Sequence, residues 1–150
     1  MTSPHTNDPV LIARLLTEPA TWAVVGLSDN PERTAFRISG WLAQARGMRV
    51  IPVHPKAQPV HGFTGYASLA DIPEGPVRVV DCFVRSDLVG AVVDEAIAQA
   101  ERLGIEVIWL QLGVIDEAAA ARAEAAGLAV VMDTCPRIEW GKLPRSTSSR

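Results

Sequence analysis

Short apolar runs alternate with stretches of helical periodicity that close on glycine, and this alternation limits the fold more than any other feature of the chain. Residues 22–25 form an unbroken apolar run halted by Gly26, as expected of a parallel strand buried on both faces. From Thr34 the apolar residues Phe36, Ile38, Trp41, Leu42 and Ala45 recur at helical spacing up to Gly47. A second run, 48–53, carries Pro52 near its end, where a strand tolerates proline. Residues 77–84, 106–112 and 128–132 read as further strands, with helices at 88–103, closed by Gly104, and from the Asp116 cap to Gly127. Upstream, Asp8 and Pro9 announce a short helix bearing Val10, Leu11, Leu15 and Leu16. The stretch 54–76, rich in Pro and Gly, reads as loops with a short edge strand near Val60 and one helical turn at 68–71.

Strands alternating with helices imply right-handed crossovers and a mainly parallel sheet covered on both faces. The expected fold is α/β, Rossmann-like and doubly wound. At 150 residues it forms a single domain over 21–140, with residues 1–20 as an N-terminal helix packed on it and 141–150 as a disordered tail. In such sheets ligands bind outside the carboxyl ends of the strands, so the residues that end each strand are the ones to question.

Composition removes several classes of function. A net charge of −3 with scattered Lys and Arg lacks the basic face that nucleic acid requires. No apolar run approaches the roughly 20 residues of a membrane span, and residues 1–9 carry no export signal, so the expected location is the cytoplasm. Two cysteines, Cys82 and Cys135, make no disulfide framework, and His5, His54 and His61 are too separated to form a metal site.

The first strand ends in Gly26-Leu27-Ser28-Asp29-Asn30-Pro31-Glu32-Arg33 and leads into a helix. Gly26 permits a tight turn, the helix-start amides and the Ser28 hydroxyl can donate to phosphate, and Arg33 adds a cation. A plain connecting turn is the alternative. The loop is not a G-x-G-x-x-G fingerprint, because Ser28 and Pro31 stand where its later glycines would be. A dinucleotide ribose also calls for an acid at the end of strand two, where this chain has His54-Pro55-Lys56. A lysine there favours a ligand with an extra ribose phosphate, meaning NADP or coenzyme A, although a solvated surface lysine explains it as well.

The chain resembles the CoA-binding domain family, small proteins similar to the amino-terminal domain of the succinyl-CoA synthetase α subunit. The resemblance is carried in order by Val24-Val25-Gly26-Leu27-Ser28, Asn30-Pro31-Glu32-Arg33, Ile51-Pro52-Val53-His54-Pro55-Lys56, Ser68-Leu69-Ala70-Asp71-Ile72-Pro73, Trp109-Leu110-Gln111-Leu112-Gly113 and Met132-Asp133-Thr134-Cys135-Pro136. It implies bound coenzyme A, with Gly26, Leu27, Ser28, Asn30 and Arg33 near phosphates and Val53, His54, Pro55 and Lys56 around the adenosine end. Phe83, Val84 and Arg85 would line the pantetheine side, with Gln111 and Cys135 closing the set. The chain departs from the family at His54, where Asn is common, and at Thr134, where a bulkier or basic residue is.

Three readings compete at this stage. The first is a non-catalytic module that binds coenzyme A or an acyl-CoA, with a second copy or an enzyme as partner. No catalytic constellation is visible, and the synthetase's phosphorylated histidine domain has no counterpart in the sequence. The second is an NADP-dependent oxidoreductase, which should show a catalytic His, Tyr or Lys, whereas Tyr66 is the only tyrosine and lies in a loop. The third is a thiol redox or scaffold protein using Cys135, with Trp41 and Trp140 at an interface. Core packing explains Cys135 better than reactivity does, and explains both tryptophans as well as an interface does.

Overall fold

A computed structural model describes residues 4–144. Helix α1 (Pro9–Thr17) starts on the Asp8 carboxylate, which accepts the Val10 N–H at 2.9 Å and has proline at its first position. Strand β1 (Thr21–Val25) follows, then α2 (Thr34–Arg46), which Gly47 ends in the left-handed conformation at φ 70°. Strand β2 (Arg49–Val53) is succeeded by a long connection holding a 3₁₀ turn at Leu69–Asp71, and then by β3 (Val79–Cys82). The remaining order is α3 (Ser86–Leu103), β4 (Val107–Leu110), α4 (Glu117–Ala125), β5 (Ala129–Met132) and α5 (Pro136–Lys142).

The five strands form one parallel sheet in the order β2-β1-β3-β4-β5. Side-chain alternation divides the interior into two cores. Trp22, Val24, Val79, Trp109 and Val131 face α1, α2 and α5, while Ala23, Val80, Cys82, Ile108 and Val130 face α3 and α4. This is the doubly wound Rossmann-like arrangement expected from the sequence. Pro52 lies inside β2 opposite Val24, but β2 is an edge strand. The Pro52 carbonyl accepts the Tyr66 N–H on the outer side at 2.9 Å, so its nitrogen faces outward too and the missing donor costs β1 nothing.

Several boundaries differ from the sequence reading. Strands three and four are shorter than 77–84 and 106–112, because their flanking apolar residues sit in the bends entering and leaving the sheet. The edge strand expected near Val60 is a tight hairpin turn in which Val60 and Phe63 bond each other. Helix α5 was not foreseen. Gly141 and Lys142, assigned by the sequence to the tail, belong to it, and Leu143 packs on the core. Residues 145–150 of that expected tail lie outside the described residues.

Helix α5 is held by tertiary contacts. The Arg46 guanidinium lies 3.6 Å from the Trp140 ring centroid while its Nε donates to the Leu16 carbonyl at 3.0 Å, joining α1, α2 and α5. Trp41 and Trp140, candidates for an interface, are both half-buried against the same core. At the sheet centre Trp22 and Trp109 pack with ring centroids 5.6 Å apart.

Candidate functional site

Strand order fixes where a ligand can bind. The chain leaves β1 towards β2 on one side and reaches β4 and β5 from β3 on the other, so the order reverses between β1 and β3. In open α/β sheets ligands bind at such a point, outside the carboxyl ends of the strands. Gly26 directly follows β1 there. Its φ is 94°, and a Cβ there would lie 2.5 Å from the Phe83 carbonyl oxygen, so only glycine lets the two loops approach. The Gly26 N–H bonds the Val53 carbonyl at 2.8 Å and the Phe83 N–H bonds that of Val25 at 2.9 Å, locking three strand ends together.

The loop beyond Gly26 is ordered by its own side chains. The Ser28 hydroxyl accepts the Asn30 N–H at 3.3 Å, which leaves its proton free to donate. Asn30 Oδ1 accepts the Glu32 N–H at 3.0 Å. Arg33 occupies the cap position of α2 without capping it, so the first helix amides carry no side-chain acceptor. The Arg33 side chain is exposed and makes no ion pair among the described residues. Leu27, by contrast, is fully buried in the core, so only its backbone can serve the loop.

At the end of β2 the residues 54–57 form a turn closed by the Ala57 N–H on the His54 carbonyl at 2.7 Å. His54 Nδ1 accepts the Lys56 N–H at 3.1 Å, the side-chain-to-backbone bond that Asn makes in an Asx turn. His54 therefore does locally what the more common Asn would do. Lys56 and Pro55 are exposed, and Val53 is buried with only its carbonyl turned to Gly26. Lys56, like Arg33, has no ion-pair partner among the described residues.

Phe83 and Val84 flank the sheet end on opposite sides, one packed against each core. Arg85 is pre-empted. Its guanidinium grips Asp87 through two bonds of 3.0 and 2.8 Å, which raises the arginine's proton affinity and lowers that of the carboxylate. Gln111 directly follows β4 with 5% of its surface exposed, and its Oε1 is buried without a hydrogen-bond partner. An orphaned acceptor of this kind costs about 1–3 kcal/mol unless a donor meets it.

Cys135 stands apart from this group. It is 6% exposed, caps α5 with its backbone and packs in the core with Trp109 and Val131, so its thiol has the packing role and is not open to solvent. Thr134 is turned inward. Its hydroxyl donates to Glu139 at 2.5 Å and its carbonyl accepts the Trp109 indole N–H at 2.8 Å. Tyr66 uses its backbone to extend the sheet edge, and its ring packs on the core. An apolar groove between α1 and α5 is lined by Val10, Ile12, Ala13 and Leu143, but no strand-end residue reaches it. Among the described residues no cluster of three His, Cys, Asp or Glu could hold a metal, and no helix is long and apolar enough to cross a membrane.

Sequence reasoning missed Asp81 as a residue of consequence. It lies mid-strand in β3, fully buried, with both carboxylate oxygens unpartnered, and burial pushes its proton affinity well above the carboxylate norm. The same burial, with Asp81 beside it, pushes the Cys82 thiol up and makes it inert.

Comparison with known proteins decides the family. Residues 20–141 match the family described as CoA binding domain. The chain belongs to that family. It is 33% identical over 127 residues to the uncharacterized protein YneT of Bacillus subtilis, covering 85% of this chain and 90% of that one. A hypothetical protein from Pyrococcus horikoshii superposes with a TM-score of 0.82 at 34% identity, covering 95% of this chain and 97% of the other. An acetyl-coenzyme A synthetase of Candidatus Korarchaeum cryptofilum, solved with phosphate and ADP, matches with a TM-score of 0.65 at 25% identity. This match takes in 79% of this chain but 26% of the synthetase.

Proposed function

We propose that this CoA-binding-domain protein binds coenzyme A, or an acyl derivative, as a module without chemistry of its own. The observation that carries the reading is a pair of exposed cations without an ion-pair partner among the described residues, Arg33 at the uncapped start of α2 and Lys56 in the turn after β2. Helix-start amides and a free hydroxyl suit a pyrophosphate, and a lysine at the end of β2 suits a phosphate on the ribose. The ligand's pantetheine arm carries amide N–H groups, and the buried Gln111 Oε1 lacks just such a donor. Cys135 is buried, so its thiol has a packing role in this reading. Two buried free cysteines fit a reducing cytoplasm.

Calorimetric titration with coenzyme A, dephospho-coenzyme A and NAD tests the reading. The protein should bind coenzyme A and not NAD. A charge-assisted contact is worth about 1.5–3 kcal/mol, so Lys56→Ala should weaken coenzyme A by roughly tenfold to a hundredfold and leave the dephospho form nearly unchanged. Additive effects across the four affinities would remove Lys56 from the phosphate site. Equal binding of NAD would remove the preference for coenzyme A.

A further inference from the structure

The connection from β2 to the 3₁₀ turn carries Lys56 near its start and the hairpin turn 60–63 in its middle. The two central residues of that turn are both left-handed, His61 at φ 54° and Gly62 at φ 82°. Glycine adopts this conformation freely, and histidine reaches it more readily than most side chains, though still uncommonly. What holds His61 is its ring. Nε2 lies 2.9 Å from the Phe36 carbonyl and 3.2 Å from Ser39 Oγ, and the imidazole packs at a 48° tilt against the Phe36 ring with centroids 4.3 Å apart. Because a carbonyl only accepts, Nε2 is the donor in the first contact. Gly40 makes the space, since a Cβ at that position would sit 3.1 Å from the imidazole Cε1.

Phe36 lies in the first turn of α2, and the phosphate loop ends at Arg33 where that helix begins. The His61 ring is thus a polar tie between the segment bearing Lys56 and the helix bearing the phosphate cradle. Val60 and Phe63 add apolar contact with the same core, but they fix neither direction nor distance as a hydrogen bond does. From this we infer that His61 is a positioning residue. It sets the spacing between Lys56 and the cradle and so tunes selection of ligands that carry a phosphate on the ribose as well as a pyrophosphate. The inference rests on the coenzyme A reading.

Three proteins separate the possibilities: the parent, His61→Gly and His61→Gln. Glycine suits the turn and removes the tie, so the domain should stay folded by melting temperature and circular dichroism. Glutamine restores an N–H donor of similar reach. The parent should favour coenzyme A over dephospho-coenzyme A by about tenfold to a hundredfold. His61→Gly should cut that ratio to about threefold or less while dephospho-coenzyme A affinity stays within about twofold, since the residue couples to one phosphate only. His61→Gln should recover most of the ratio.

An unchanged ratio in His61→Gly, or parallel weakening of both ligands, overturns the inference. So does a glutamine variant that recovers nothing. A parent that fails to bind coenzyme A overturns the functional reading itself, a result visible before any variant is made. Should the glycine variant unfold, Gly40→Ala pushes on the imidazole from the helix side without touching the turn, and it must lower the same ratio.

Discussion

Asp81→Asn should stabilise the protein at neutral pH and leave it nearly unchanged in acid. Asp81 sits in β3 between Val24 of β1 and Trp109 of β4, wholly buried, and neither carboxylate oxygen has a partner. Burial raises its proton affinity well above that of a carboxyl group in the unfolded chain. The native state therefore keeps a proton that the unfolded chain releases above about pH 4. Stability from this group is intact below the unfolded value and falls as pH rises towards the folded one. The slope is at most one proton, about 1.4 kcal/mol per pH unit, or no more than about 4 kcal/mol between pH 4 and 7. Asparagine has nearly the same shape and no titration, but its unpaired amide keeps part of the penalty, about 1–3 kcal/mol. A net gain of about 1–3 kcal/mol at pH 7 should raise Tm by roughly 2–10 °C in a domain of this size. Calorimetric melts of both proteins from pH 4.5 to 8.5 give the difference, which cancels every other titrating group. A difference that does not grow with pH, or an asparagine variant less stable throughout, would refute the argument and mean that the carboxylate is ionised and paired.

Gly26→Val should destabilise the fold by at least about 2 kcal/mol as well as abolish ligand binding, because the new Cβ meets the Phe83 carbonyl at 2.5 Å. Urea titration beside ligand titration separates the two effects, and a fully stable mutant would show that the loops are free to part. Arg46→Ala should cost about 1–2 kcal/mol through loss of the Trp140 stack and the Leu16 bond, with Arg46→Lys recovering less than half in chemical denaturation. Truncation before Lys142, which the sequence alone expects to be harmless, should lower Tm measurably because it removes Leu143 from the core, whereas truncation after Pro144 keeps that contact.

What the sequence reveals and what it conceals divide along a physical line. Asp8, Gly47, Gly104 and Asp116 end helices through bonds and dihedral angles within a few residues, so α1 to α4 could be located from local signals. The parallel sheet followed from apolar runs between them, and Gly26 was legible because a strand that stops on glycine before a helix is a local event. Helix α5 has seven residues, too few to form alone, and it exists through Arg46 and Thr134, which are distant in sequence or turned inward. Its periodicity was too short to read. The turn at 60–63 was concealed for a different reason: Gly62 signals a turn, but the contact of His61 with α2 that fixes it comes from residues distant in sequence.

Asp81 and Gln111 show the same limit at the level of the site. A polar residue in a strand pattern predicts an outward face or a paired group, and nothing nearby in sequence says that its oxygens will meet no donor. The two orphans nevertheless differ in position. Asp81 is within β3 and lowers its penalty by holding a proton, whereas Gln111 directly follows β4 and cannot titrate, so its acceptor is relieved only by an incoming donor. An unsatisfied group that can neutralise itself bears on stability, and one that cannot, placed at a strand end, bears on binding. That distinction makes Asp81 the residue whose cost follows pH and Gln111 the one whose cost should fall when a ligand donor binds.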